Sequence, residues 1–260
     1  MKYDFLVETT VAGILASIAC GCGAFPLLIK RLNIQKNMGL GYGFAGGLMF
    51  SASVYNLILP GLTLGQNDYT SFEQVTLVLI GILLGAAFLW AVNVSLTPER
   101  LENSFLNKIG NRTEILIFVA MSFHSIPEGV AVGVGYASGT HIAGAENLGN
   151  YIALAIAIHN IPEGLAISIP LRSKGASIMY CFFMAFLTSL PQPIAAVPAS
   201  ILVWLFKPLM LPFLGFAAGA MIFLIIMELI PEALEDKSPV EIAWAFVIGF
   251  CLMLLVQVIL

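Results

Sequence analysis

The most constraining feature of the sequence is a series of apolar runs, each about 20 residues long, that recurs from one end of the chain to the other. A helix needs a run of roughly 20 residues to cross the hydrocarbon core of a bilayer. Composition agrees, because 59% of the residues are hydrophobic and 10% are charged, whereas a soluble domain is about half apolar and a quarter charged. The chain is therefore predicted to be an all-α integral membrane protein.

Eight spans are predicted, and together they form a single transmembrane domain covering residues 1–260. Their predicted bounds are 5–29, 39–63, 73–96, 113–136, 148–170, 176–205, 208–231 and 240–260. The first residues lack the basic start and the small-residue cleavage site of a signal peptide, so the first span is expected to remain in the mature protein.

Basic residues are concentrated in alternate connectors. Only Lys2 and Lys207 lie on one side of the predicted bundle. The other side holds Lys30, Arg31, Lys36, Arg100, Lys108, Arg112, Arg172, Lys174 and Lys237. Because Lys and Arg favour cytoplasmic loops, this asymmetry predicts that both termini lie outside the cytoplasm.

The connectors themselves offer weaker candidates. The polar connector 97–111 contains neither His nor Cys, so a plain cytoplasmic loop is favoured over a regulatory or metal-capturing one. His141, with Glu146 nearby, lies in the outer connector 137–147, where a solvated side chain is favoured over an outer metal contact. All four cysteines fall within predicted spans, which favours packing roles over a disulfide framework: Cys20, Cys22, Cys181 and Cys251.

Two near-identical polar motifs interrupt the apolar pattern. Span four contains His-Ser-Ile-Pro-Glu-Gly and span five contains His-Asn-Ile-Pro-Glu-Gly, which place His124 four residues before Glu128 and His159 four residues before Glu163. On a helix this spacing puts both side chains on one face. Ionisable groups at membrane depth are costly and mark a pathway for an ion or substrate by default.

The chemistry of the two motifs suits a divalent transition metal. Imidazole nitrogen and carboxylate oxygen are ligands of Zn²⁺ and its neighbours, and two carboxylates balance the charge of a dication in a medium of low dielectric constant. The alternative is that each His/Glu pair satisfies itself as a polar contact between helices. Two near-identical copies favour the metal site.

Four further polar residues are candidates for the same pathway. Ser125 and Asn160 follow the two histidines directly and supply neutral oxygens for a second, weaker metal site, which the two motif glutamates could bridge. Gln192 lies in Leu-Pro-Gln-Pro on span six, where prolines are expected to break the helix and expose the amide to a cavity. Glu228 on span seven is a buried carboxylate, with a place on the metal path and a structural hydrogen bond as its two interpretations.

The motifs belong to a wider internal repeat. The His motifs lie 35 residues apart, and Gly-Phe-Ala-Gly-Gly-Leu-Met-Phe at 43–50 is echoed 172 residues later by Gly-Phe-Ala-Ala-Gly-Ala-Met-Ile at 215–222. Spans two and seven, like spans four and five, would cross the membrane in opposite senses. This predicts an inverted repeat of three, two and three spans, as in many secondary transporters. Close helix packing is predicted at four Gly-x-x-x-Gly pairs: Gly43/Gly47, Gly81/Gly85, Gly129/Gly133 and Gly215/Gly219.

The paired His-x-x-Pro-Glu-Gly segments on spans four and five resemble those of the ZIP (Zrt/Irt-like protein) family of divalent metal transporters. The short chain without a His-rich loop resembles the bacterial GufA-like group within it, and the resemblance covers the whole chain. It implies that His124, Glu128, His159 and Glu163 form the main metal site, in a bacterial inner membrane.

The resemblance also implies a second metal site at Ser125, Asn160 and Gln192, shared with the two motif glutamates. Here the sequence departs from the family, which often has Asn in place of Ser125, an acid in place of Asn160 and Glu-Pro in place of Gln192-Pro193. A second site in this chain would thus be neutral except for the shared glutamates.

The leading hypothesis is a carrier that moves Zn²⁺ into the cytoplasm, with Fe²⁺, Mn²⁺ and Cd²⁺ as further divalent substrates. The resemblance implies alternating access, with spans one, four, five and six moving against two, three, seven and eight, and it allows a homodimer. No Gly-rich nucleotide loop is present, so gradients rather than ATP are expected to drive transport. No basic stripe suggests a nucleic acid partner.

Two other functional classes would use buried His and Glu residues. An intramembrane metalloprotease would need His-Glu-x-x-His and an open metal position for water, and that string is absent, so neither an enzyme nor a catalytic cofactor is expected. A channel, or a sensor without flux, would use the same His/Glu site. Saturable flux distinguishes a carrier from both.

Overall fold

The computed structural model describes residues 4–29, 37–63, 69–95, 112–140 and 145–259. Within these ranges the chain is helical and has no β-strand, which confirms the predicted all-α class. The helices are α1 (Asp4–Leu28), α2 (Met38–Thr63), α3 (Ser71–Ser95), α4 (Arg112–Ser138), α5 (Leu148–Ser173), α6 (Ile178–Leu205), α7 (Lys207–Asp236) and α8 (Pro239–Ile259). The predicted loop 97–111 and His141 lie outside the described residues, as do Lys2, Lys30, Arg31, Lys36, Arg100 and Lys108.

Seven of these helices are long and apolar enough to cross a membrane, which confirms a multi-span membrane protein. The eighth, α4, is 27 residues long and is not one of the seven, so the count of eight spans stays a prediction. Large apolar side chains cover the outer helices, with Leu83 on α3 70% exposed and Trp244 on α8 66% exposed. Apolar surface of this extent is suited to contact with lipid tails.

The helices α3 and α8 begin with the same capping arrangement. At the start of α3 the Thr70 hydroxyl accepts a hydrogen bond from the Glu73 backbone N–H, and the Glu73 carboxylate accepts one from the Thr70 backbone N–H. Ser238 and Glu241 repeat this exchange at the start of α8. Each box satisfies backbone N–H groups that the first helical turn leaves without partners.

The predicted Gly-x-x-x-Gly positions are points of close helix contact. At every one of these glycines except Gly43, an added Cβ atom would overlap the backbone of the facing helix, so glycine lets the two backbones approach. Three such contacts are Gly85 of α3 on Phe216 of α7, Gly47 of α2 on Phe246 of α8, and Gly133 of α4 on Ala196 of α6.

The closest helix pairs sort the helices into two groups. In one group α3 packs along α7 and α2 packs along α8, while in the other α4 packs along α6 and α1 packs along α5. The second group carries both His motifs, on α4 and α5. The grouping is the division that the family resemblance implies, and movement of one group against the other stays a prediction.

The helix α6 is broken where its sequence predicted a break. One helical segment ends at Thr188 and the next begins at Pro191. Proline lacks a backbone N–H and suits the first position of a helix, so the chain restarts there. The break leaves the Gln192 side chain fully buried at the level of the His motifs. By contrast, α4 and α5 continue as helices through Pro127 and Pro162.

The helices α2 and α7 each contain a π-helical turn, at Ser53–Ile58 and Ile225–Leu229. The two turns begin 172 residues apart, the same separation as the glycine-rich segments of the predicted repeat. Pi-helical turns are rare and occur frequently at functional sites. Asn56 lies in the first turn and Glu228 in the second. The inverted repeat itself stays a prediction, to which this correspondence adds support.

Candidate metal site

His159 on α5 and Glu128 on α4 form the centre of the candidate site. The His159 Nε2 atom lies 3.2 Å from Glu128 Oε1, and both side chains are buried, at 0% and 1% exposure. The pairing joins two helices, although the sequence spacing also allowed each histidine to pair with the glutamate of its own motif. The two motifs are therefore joined across the helices, and neither histidine forms an ion pair with the glutamate of its own motif.

Gln192 and Asn160 extend this centre into a hydrogen-bonded chain. The Gln192 amide donates to Glu128 Oε2 at 3.3 Å, and the Asn160 amide donates to Gln192 Oε1 at 3.2 Å. The Ser189 hydroxyl also donates to Gln192 Oε1, at 3.1 Å, and Asn160 donates to the Ala16 carbonyl at 3.0 Å. The Gln192 amide thus lies beside the buried carboxylate, and Asn160 lies beside Gln192. Gln192 is fully buried and does not line the cavity described below, so the predicted exposure of its amide to a cavity is wrong.

His124 has a separate carboxylate partner on the other helix group. Its Nε2 atom lies 3.4 Å from Oε1 of Glu228 on α7, and the Asn93 amide of α3 donates to the same oxygen at 3.3 Å. Sequence analysis named Glu228 but missed Asn93. The available signal was one amide inside an apolar span, and polar side chains there tend to be functional.

Ser125 lies in the same region but bonds to backbone. Its hydroxyl lies 3.2 Å from the Thr188 carbonyl at the break in α6 and 3.3 Å from the Met121 carbonyl of its own helix. These contacts tie α4 to α6. A metal-binding role for Ser125 stays a prediction.

A cavity of about 470 Å³ leads from the two motif histidines to one end of the helix bundle. His124, His159, Glu163 and Glu228 line its inner part. Its outer part reaches helix ends that adjoin the predicted cytoplasmic connectors, and the lining there includes Met38, Pro170, Glu232 and Glu235. The cavity therefore opens on the side predicted to be cytoplasmic.

Several buried ligand-type atoms near this cavity have no hydrogen-bond partner. They are Nδ1 of His124, Nδ1 of His159, Oε2 of Glu163 and Oδ1 of Asn160. Buried polar atoms are normally hydrogen-bonded, so atoms left without partners call for an explanation such as an ion. Across the described residues, no three His, Cys, Asp or Glu side chains are grouped closely enough to hold a metal ion together. The donors surround a space and do not form a closed ligand shell.

The comparisons with known proteins agree on one family. The family model described as ZIP Zinc transporter matches residues 99–257. Zinc transporter GufA of Myxococcus xanthus is 32% identical over 249 residues, which cover 93% of this chain and 96% of that protein. Zinc transporter ZIP11 of Xenopus tropicalis is 30% identical over 331 residues, with 98% of both chains covered. A putative zinc transporter of Arabidopsis thaliana is 37% identical over 89% of this chain, which spans only 35% of that longer relative.

Proposed function

Because the chain belongs to the ZIP family of zinc transporters, we propose that it carries Zn²⁺ into the cytoplasm by alternating access through a buried His/Glu site. The family consists of transporters, so the protein is not an enzyme and the metal is cargo and not a catalytic cofactor. The proposed ligands are His124, Glu128, His159 and Glu163, drawn from α4 and α5.

The cavity that ends at the two histidines is the observation that carries this proposal. It brings His124, His159 and Glu163 to one space that reaches the outside of the bundle. An imidazole nitrogen on each histidine and a carboxylate oxygen on Glu163 are buried without partners. These are zinc ligand types, and desolvating a dication there requires the negative charge of the nearby carboxylates.

Glu128 is the ligand that must change partners. At 3.2 Å from His159 Nε2 it occupies a coordinating nitrogen of that ring, so a metal would take the place of this contact. The two side chains would then bind the same ion from opposite helices. Fe²⁺, Mn²⁺ and Cd²⁺ suit the same nitrogen and oxygen ligands, so they remain proposed secondary substrates.

A second metal is less favoured in this chain. Gln192 and Asn160 supply neutral amides where two metals would require more negative charge, and Gln192 already donates to Glu128. We assign Glu228 to the path between the central site and the cavity mouth, where Glu232 and Glu235 follow on the same helix. The proposal is that a single ion binds at the central site and is then released past these carboxylates.

The position of the cavity supports a carrier over a channel that uses the same site. A channel needs a path open to both sides at once, whereas this cavity leads from the site to the helix ends on one side. The orientation that makes this side cytoplasmic, with both termini outside, is part of the proposal, as are the bacterial inner membrane and the homodimer.

The proposal is tested by Zn²⁺ uptake into proteoliposomes that contain the purified protein. Wild type should show saturable uptake above protein-free liposomes. His159→Ala and Glu163→Ala should each reduce uptake roughly tenfold or more, as expected for loss of a metal-binding group. Ser168→Ala is the matched control, because Ser168 is buried on the same helix and bonds only to the Gly164 carbonyl among its described hydroxyl contacts. Uptake that survives both variants would overturn the assigned site.

A further inference from the structure

A second, much smaller cleft lies between α2, α5 and α7. Its volume is about 10 Å³, which is room for roughly one water molecule, against about 470 Å³ for the cavity. Asn56 lines this cleft beside Ile156, which lies one helical turn before His159. Along α5 the cleft therefore lies before His159, on the side away from the cavity mouth near Pro170, and it is nearly closed.

The lining of the cleft repeats the lining of the cavity. A shift of 172 residues relates Ala52 to Leu224, Asn56 to Glu228, Leu57 to Leu229, and Met49 to Met221, and a shift of 35 relates Met121 to Ile156. In every pair, one member lines the cleft and the other lines the cavity. The nearly closed cleft is therefore the repeat counterpart of the open cavity.

The outer helices follow the same relation. Gly85 of α3 lies against the Phe216 carbonyl of α7, and Gly249 of α8 lies against the Phe44 carbonyl of α2. Phe44 and Phe216 are themselves 172 residues apart, so this packing matches α3 with α8 at a shift of 164 residues.

That shift relates Asn93 to Gln257, within Val-Asn-Val on α3 and Val-Gln-Val on α8. Gly47 of α2 lies against Phe246 of α8, and the two helices run in the same direction. Asn56 follows Gly47, and Gln257 follows Phe246, by similar lengths of helix, so Gln257 lies at about the level of Asn56. The residue pair Asn93 and Glu228 on one side thus has the pair Gln257 and Asn56 on the other.

The two pairs differ in their contacts. On the open side Asn93 donates to Glu228, which faces His124. On the closed side the Asn56 amide nitrogen and both amide atoms of Gln257 are buried without a partner. Leaving buried polar groups unsatisfied is costly, so these groups are expected to find partners in another state of the protein.

We propose that Asn56 is the contact for the divalent cation on the side opposite the cavity, and that Gln257 positions it as Asn93 positions Glu228. This rests on the proposed alternating access. When the cleft opens and the cavity closes, movement of the group that contains α4 and α5 takes His124 away from Glu228 and brings the central site towards the Asn56 amide. On the side where the cleft opens, the neutral amide of Asn56 holds the ion weakly. On the cytoplasmic side, the carboxylate of Glu228 takes its place.

The first test is cysteine labelling in a background in which the four native cysteines are replaced. Ala52→Cys, at a position that lines the cleft and leaves Asn56 in place, is exposed to a membrane-impermeant maleimide with and without Zn²⁺ supplied from the outer side. Labelling should be slow at rest and rise severalfold during zinc transport, since opening the cleft exposes this position. Ser51→Cys is the matched control, because Ser51 is buried on the same helix but lines neither space. Its labelling should stay slow.

The second test concerns the roles of Asn56 and Gln257. Asn56→Leu and Gln257→Leu should each lower zinc uptake about tenfold, equivalent to losing one well-placed contact. Gln257→Asn, which installs the side chain found at position 93, should restore uptake, which a purely structural effect of shortening the side chain would not do.

The outcomes separate the two claims. If the cysteine-replaced parent transports zinc but Ala52→Cys labels no faster than Ser51→Cys, or Asn56→Leu takes up zinc normally, the proposal for Asn56 is overturned and the transport function stands. If the parent takes up no zinc at all, the proposed function fails and this inference fails with it. Zinc-dependent labelling confined to position 52, together with reduced uptake by Asn56→Leu, supports both.

Discussion

The carboxylate 3.2 Å from His159 Nε2 belongs to Glu128 on the neighbouring helix. The two motifs are thus interlocked, with a histidine from α5 held by a glutamate from α4. Because α4 and α5 belong to the same helix group, we expect this pair to stay together if that group moves against the other. The contact between His124 and Glu228 joins the two groups, so it is the one that such a movement would break.

Glu128→Gln should abolish zinc uptake. The substitution removes one of the negative charges that balance the dication and leaves His159 facing a neutral amide. Uptake into proteoliposomes measures the loss, and calorimetric zinc binding should weaken roughly 10- to 100-fold. Glu73→Gln is the matched control, since Glu73 caps the exposed start of α3. Normal uptake by Glu128→Gln would show that the interlocked pair is not a ligand pair.

Asn93→Ala should impair transport although Asn93 faces no proposed ligand histidine. Its amide holds Glu228 Oε1, and loss of such a supporting contact typically costs about 10- to 100-fold in metal affinity or activity. Zinc uptake at low concentration gives the measurement. Asn150→Ala, which removes only the acceptor of the Tyr136 hydroxyl, provides the comparison. If Glu228→Gln is impaired and Asn93→Ala is not, Asn93 does not act through Glu228.

Gln192→Glu should raise the number of bound zinc ions from one toward two. The new carboxylate would lie beside Glu128 in place of an amide donor, adding the charge that a second ion requires. Metal analysis of the purified, zinc-equilibrated protein gives the stoichiometry. Gln192→Ala frees Glu128 without adding charge, so it should keep one ion. A second ion in wild type, or none gained in Gln192→Glu, would contradict this explanation.

Gly85→Ala should destabilise the protein by about 1–3 kcal/mol, because the added Cβ overlaps the Phe216 carbonyl and forces α3 away from α7. Thermal denaturation in detergent should show a lower midpoint. Gly41→Ala is the matched control, since a Cβ at Gly41 meets no atom within 4 Å. Equal midpoints for the two variants would mean that the α3–α7 contact adjusts freely.

The helices and the polar motifs could be predicted from sequence because both follow local rules. Apolar length marks a span, and the i, i+4 spacing of His159 and Glu163 marks one helix face. The break at Pro191 follows equally from the missing N–H of proline. Each of these predictions needs only the residues of one segment.

Contacts between helices could not be predicted from such local rules. The pairing of His159 with Glu128, and of Asn93 with Glu228, depends on the axial register of one helix against another. That register is set by backbone contacts at positions such as Gly85 and Gly133, whose facing residues the sequence does not reveal. The side on which the cavity opens depends on the same packing.

X-ray absorption at the zinc edge tests the central claim most directly, since it reports the atoms bound to Zn²⁺ in the purified, loaded protein. The His/Glu site predicts nitrogen and oxygen ligands at about 2.0–2.2 Å, two of them imidazoles, with one imidazole lost in His159→Ala. Sulfur at about 2.3 Å would place the ion at cysteine ligands instead. That result, or a spectrum unchanged in His159→Ala, would contradict the proposed site.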